Sequence, residues 1–162
     1  MKKVILLSVV FMSVFASCKK EKEMEEMPAP NEEIVVEEPV SEECYSAIIK
    51  KDTISMSLNI KGNQIASGKL SYNFFEKDKN EGTLVGEIKG DTLFADYTFM
   101  SEGVSSIRQV AFLKKGNTYV EGYGDVVDDN KGKVTFKDTK LLKFEGNIVL
   151  SKVDCTSLSP KP

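Results

Sequence analysis

Arg108 is the single arginine in a chain that carries twenty-one lysines. Lysine suffices wherever a plain positive charge is wanted. A guanidinium offers something different, a planar fork that grips a carboxylate with two parallel hydrogen bonds. Alternation places Arg108 in phase with Val110 and Phe112, so its side chain is expected to point inward. Two carboxylates are near enough in sequence to pair with it, Glu102 across the stretch Gly103-Val104-Ser105-Ser106, and Asp96. Ser105, Ser106 and the tyrosines Tyr72, Tyr97, Tyr119 and Tyr123 offer hydroxyls. These residues form the expected ligand site, with Arg108, Glu102, Asp96, Ser105, Tyr72 and Tyr97 at its centre.

Other chemistry is thinly represented. The chain has no histidine, which removes the commonest general base and transition-metal ligand. It has no Gly-x-Ser-x-Gly elbow, phosphate-cradling loop or dinucleotide fingerprint. A carboxylate pair, Asp96 with Glu102 or Glu121, is the remaining route to acid–base hydrolysis and ranks last among the functions considered. Residues 125 to 132 read Asp-Val-Val-Asp-Asp-Asn-Lys-Gly. Clustered oxygens can hold calcium, but the spacing lacks the closing Glu of the helix–loop–helix motif, and Asp, Asn and Gly are ordinary turn residues. A hairpin loop is expected there, with no metal and no cofactor. No basic stripe carries interleaved aromatics, so nucleic acid is not an expected partner.

The elements that must position Arg108 are strands. Ile54, Met56, Leu58 and Ile60 alternate with polar residues. Gly68, Leu70, Tyr72 and Phe74 do the same, as do Leu84, Gly86 and Ile88, then Leu93, Ala95, Tyr97 and Phe99. Gly62-Asn63, Gly90-Asp91 and Gly116-Asn117 punctuate them as two-residue hairpin turns. A longer loop is expected over residues 101 to 106, a short strand at Val134 and Phe136, and a final strand through Phe144, Gly146, Ile148 and Leu150. No segment shows a helical period. The fold class is therefore all-β, an antiparallel up-and-down meander of eight or nine strands closing into a small barrel. Closure removes exposed sheet edges. An open rolled sheet or a sandwich is the alternative. Gly68, Gly86, Gly122 and Gly146 suit barrel bends or close backbone approach. The hairpin from Gly82 to Leu93 resembles those of lipocalin-like small barrels.

The amino terminus carries a different message. Lys2 and Lys3 precede an apolar run from Val4 to Phe15, too short for a membrane-spanning helix, followed by small Ala16 and Ser17 and then Cys18. The segment Val14-Phe15-Ala16-Ser17-Cys18 resembles the lipobox of type II signal peptides, with Phe15 where leucine is usual. The run Cys18-Lys19-Lys20-Glu21 is similar to lipoproteins of the Bacteroidota type. The resemblance implies cleavage before Cys18, acylation of its thiol (a diacylglyceryl group and palmitate-like chains), and anchoring to the outer membrane, periplasmic or surface-exposed. Several acyl chains on one residue hold a protein to a bilayer where a single chain does not.

With Cys18 consumed by the anchor, Cys44 and Cys155 remain, in a compartment where disulfides persist. They are expected to pair, leaving no thiolate for metal. Residues 19 to 43 hold ten glutamates against three lysines, a net −7, while residues 44 to 162 hold seventeen basic and fifteen acidic residues, a net +2. The acidic stretch, interrupted by Pro28, Pro30 and Pro39, reads as a disordered spacer. The expected organisation is signal peptide 1–17, lipidated cysteine and tether 18–43, barrel 44–158 and tail 159–162. The stretch from Phe99 to Arg108 is also similar to the Ser-Gly loop and following basic residue of membrane-bound inhibitors of c-type lysozyme. That resemblance departs at Glu102, where a small residue is usual. The leading expectation is a non-catalytic envelope lipoprotein that binds a small ligand or an envelope protein. An inhibitor of an enzyme such as lysozyme is the alternative.

Overall fold

The computed structural model of the chain describes residues 39–77, 79–146 and 148–158. The expected signal peptide, the expected lipidation site Cys18, most of the expected tether and the 159–162 tail lie outside the described residues. Ten strands form one sheet: β1 (Val40–Ile49), β2 (Asp52–Lys61), β3 (Gln64–Asn73), β4 (Asn80–Lys89), β5 (Thr92–Ser101), β6 (Val104–Lys115), β7 (Thr118–Glu121), β8 (Val126–Asp128), β9 (Lys133–Phe136) and β10 (Val149–Val153). Eight of them, β1 to β7 and β10, pair antiparallel in a closed ring, with β10 between β7 and β1 and β5 joined to β6. The β8–β9 hairpin is an appendage, and β9 runs parallel to β6 at Ile107 and Arg108.

Alternation builds the interior. Ile54, Met56 and Leu58 of β2 are fully buried, as are Leu70 of β3, Leu84 of β4 and Leu93 of β5. Each such side chain contributes roughly 1.5–3 kcal/mol through burial. In β3 the inward phase shifts between Ile65 and Gly68, where the register with β4 breaks in a bulge. The shift keeps Ile65, Gly68, Leu70 and Tyr72 on the core side although their spacing is not strictly two. A Cβ at Gly68 would stand 2.8 Å from the Ser57 carbonyl oxygen, so the backbone of β2 occupies the space a side chain would need.

The turns at Gly62-Asn63, Gly90-Asp91 and Gly116-Asn117 are two-residue hairpins, as their composition suggests. Three expectations are corrected. The connection over residues 101 to 106 is no long loop: Ser101 pairs with Val104, and Glu102-Gly103 alone make the turn, both at positive φ. The expected polar loop at 125 to 132 contains β8, which finds a partner in β9. The last strand begins at Val149, not Phe144, because residues 142 to 146 instead run beside Tyr123, linked by a bridge from Tyr123 to Lys143. Gly122 and Gly146 consequently lie outside strands. They face the rings of Phe144 and Tyr123 rather than a barrel corner.

β1 begins at Val40, four residues before Cys44. Cys44 pairs in register with Val153, and the Cys44–Cys155 disulfide ties the first strand to the segment after the last. Strand direction defines two barrel ends. The entry end carries the start of β1 and the turns β2–β3, β4–β5 and β6–β7. The far end carries the turns β1–β2, β3–β4 and β5–β6 and the long β7–β10 connection.

Candidate functional site at the far end of the barrel

Arg108 sits on β6 directly opposite Tyr97 of β5, half-buried and in phase with Val110 and Phe112. Its guanidinium carbon lies 5.8 Å from the ring centre of Tyr72, 5.9 Å from Tyr97 and 5.9 Å from Phe99. Such distances are at the outer edge of useful cation–π attraction. Among the described residues no carboxylate comes within ion-pair distance of it and no hydrogen bond is made by its fork.

The carboxylate nearest in function is Glu121 at the end of β7, only 8 % exposed. It accepts a 2.7 Å hydrogen bond at Oε1 from the Tyr72 hydroxyl, across the interior from β3. Its Oε2 is buried and has no hydrogen-bond partner among the described residues. Burial pushes the Glu121 pKa up, against the opposing pull of Tyr72, Arg108 and the nearby Tyr123 hydroxyl. The same burial, with Glu121 alongside, raises the Tyr72 phenol and pushes that of Tyr123 to about 12. Tyr97 donates to Asn80 Oδ1 at 2.9 Å, and burial pushes its pKa to about 12 despite the counteracting charge of Arg108.

These groups frame a cavity of about 220 Å³ lined by Tyr72, Phe74, Asn80, Arg108, Glu121, Tyr123 and Ile148. A second one of about 160 Å³ shares Arg108, Glu121 and Tyr123 and reaches Val126 and Phe136 of the appended hairpin. The aromatic wall is continuous, with Tyr97 stacked on Phe99 at 4.9 Å and Tyr72 on Phe74 at 5.9 Å. Gly82 makes room for it: a Cβ there would stand 2.8 Å from the Tyr97 ring and collide with the Thr98 carbonyl oxygen.

Of the residues expected at the site, the fold brings Arg108, Tyr72 and Tyr97 together. It sends the other three elsewhere. Asp96 is out of phase with Tyr97, so it faces the outside of the barrel and accepts a 2.7 Å hydrogen bond from Lys133 Nζ of β9. Glu102 stands exposed at the turn tip, held at φ +51°. Ser105 is exposed opposite Met100 on the outer face. The three carboxylates considered for acid–base work, Asp96, Glu102 and Glu121, therefore sit in three separate settings. Glu121, Phe74, Asn80 and Ile148 were not expected at the site. The in-phase spacing of Glu121 with Tyr119 was the available signal for the carboxylate.

The entry end holds a second polar cluster. Glu43 accepts hydrogen bonds from Tyr45 at 2.7 Å, Lys152 at 3.0 Å and Lys114 at 3.2 Å. Burial alone would raise its pKa. The Tyr45 hydroxyl and the two lysines outweigh that and bring it down to about 2. One carboxylate thus holds two lysines at the entry end, and the cluster keeps one net positive charge. At the disulfide, Glu42 lies beside Cys44 and Cys155, whose sulfurs are spent on their bond. The chain matches no protein-family model, no curated protein and no solved structure to a significant degree.

Proposed function

We propose that the protein is a non-catalytic, lipid-anchored envelope lipoprotein whose barrel holds a small ligand at its far end. The observation that carries the reading is Arg108: a half-buried guanidinium facing a cavity, walled by aromatic rings, with its fork unsatisfied among the described residues. Solvent reaches a half-buried guanidinium, and a ligand that offers it acceptors inside the cavity would take the place of that water.

Two measurements test this. Metabolic labelling with an alkyne palmitate should mark the wild-type protein and not a Cys18→Ala variant. Unmarked wild type would remove the anchor from the reading. A fragment screen by NMR on the full chain in detergent should move the resonances of Arg108 and Tyr97. A screen that leaves both unmoved would remove the binding role.

A second reading, inhibition of an enzyme such as lysozyme, draws on the β5–β6 hairpin. Its flanks Met100 and Val104 are 61 % and 65 % exposed beside the Glu102-Gly103 tip. Exposed apolar side chains on a projecting turn suit insertion into a cleft. Unaltered lysozyme turnover in the presence of excess protein would dismiss it.

A further inference from the structure

Resting on the binding role proposed for the Arg108 cavity, we infer that its ligand is a small organic monocarboxylate with an apolar body, held by its carboxylate between Arg108 and Glu121. Three features select that chemistry. The cavity wall presents one permanent cation, Arg108, with both arms of its fork available among the described residues. A planar carboxylate matches that fork with two parallel hydrogen bonds. The volume of about 220 Å³ is small, and the rest of the wall is dominated by Phe74, Ile148 and the tyrosine rings. This suits an aliphatic or aromatic body of a few carbons rather than a sugar or nucleotide.

Glu121 explains why one negative charge is favoured over two. Its Oε2 is buried without a partner, so an incoming anion must either be repelled by it or share a proton with it. Burial raises its pKa, so keeping a proton costs Glu121 less than it would in water. The groups facing Glu121 are Tyr72 from β3, Arg108 from β6 and Tyr123 just after β7. Both phenols hold their protons more tightly than free tyrosine, and the guanidinium stays charged, so Glu121 is the group among them that can take up a proton. A neutral Glu121 carboxyl would donate from Oε2 to one ligand oxygen while Arg108 holds the carboxylate. A dianion such as phosphate would face one cation and an acid that must stay protonated.

The test uses the single arginine. Full-length protein in detergent, labelled with 15N-arginine, gives one side-chain Nε–H signal, that of Arg108. Titration with benzoate should shift that signal and saturate, while benzamide, equal in shape and without charge, should bind at least tenfold more weakly. The tripeptide Gly-Gly-Phe offers the same carboxylate at a chain end. If it binds as benzoate does, the natural source includes peptide termini, and if it does not, the source is a free acid. Arg108→Lys should weaken benzoate at least tenfold while retaining the dispersed spectrum of a folded barrel. The wild-type Nε signal decides the matter should that variant not fold. Equal binding of benzamide, tighter binding of inorganic phosphate, or saturation without movement of the Arg108 signal would overturn the carboxylate assignment. The first two outcomes leave the binding role standing. A fragment screen that moves neither Arg108 nor Tyr97 removes both.

Discussion

The Tyr72 hydroxyl of β3 and the Glu121 carboxylate of β7 meet at 2.7 Å across the barrel interior, forty-nine residues apart in sequence. This contact places a buried acid inside an otherwise largely apolar wall. Burial raises the Glu121 pKa above its unfolded value of 4.5. A raised folded pKa favours the protonated form, so the contribution to stability is fully present below pH 4.5 and is lost as pH rises through the folded value. Glu121→Gln should therefore make the ligand-free protein more stable than wild type at pH 7 and above, with the difference closing below about pH 4.5. Thermal melts across pH check it. Tyr72→Phe should act oppositely at neutral pH, costing about 1–3 kcal/mol by removing the hydrogen bond that Oε1 accepts.

Acid unfolding should be governed by the other end of the barrel. Glu43 titrates in the folded protein at about 2, below its usual 4.5. Its stabilisation is present above pH 4.5 and is lost as pH falls toward 2. The two lysines it holds are 38 % and 44 % exposed, so solvent screening reduces the contribution to about 1–2 kcal/mol. Glu43→Gln should lose that amount at pH 7 in urea unfolding and flatten the stability profile between pH 4.5 and 2.

The disulfide closes a loop with 111 residues of separation. In the chain-entropy model such a loop stabilises by about 4–5 kcal/mol. A Cys44→Ser, Cys155→Ser double variant should lose roughly that much in urea unfolding. Wild type treated with a reductant should approach the variant, while the variant itself should not respond. Free thiol at either position in oxidised protein would contradict the pairing.

Gly82→Ala should be damaging although it adds a single methyl group. The new Cβ would press on the Tyr97 ring and the Thr98 carbonyl oxygen. Overpacking of this kind costs about 1–3 kcal/mol. Because Tyr97 also lies under Arg108, the variant should shift the Arg108 Nε resonance in the ligand-free protein. Gly90→Ala at an open turn should leave that resonance in place.

Much of the wall was legible in advance because a strand's side chains have a period of two. Tyr72 and Tyr97 alternate with polar neighbours, Arg108 keeps the phase of Val110 and Phe112, and all three gather at the cavity as that phase requires. Asp96 was expected at the site although the same phase turns it outward, because it adjoins inward Tyr97. Glu102 was drawn into the site by closeness in sequence. The two-residue turn at Glu102-Gly103 instead leaves Glu102 at the exposed tip, while Arg108 sits further down β6. Glu121 was in phase with inward Tyr119. Its meeting with Tyr72 depends on which strands end up facing one another across the barrel.

Local chemistry along the chain settled most of the barrel strands, three of the hairpin turns, much of the inward set and the eligibility of Cys44 and Cys155 to pair, because alternation and turn preference act over a few residues. Closure decided the rest. Only the ring of eight strands sets β3 across from β7 and lets Glu121 find Tyr72. It also leaves the lower-numbered half of β6 beyond the reach of short β7, where β9 pairs instead. Those contacts join residues far apart in sequence, and their geometry follows from strand number and register, which no short window of residues contains.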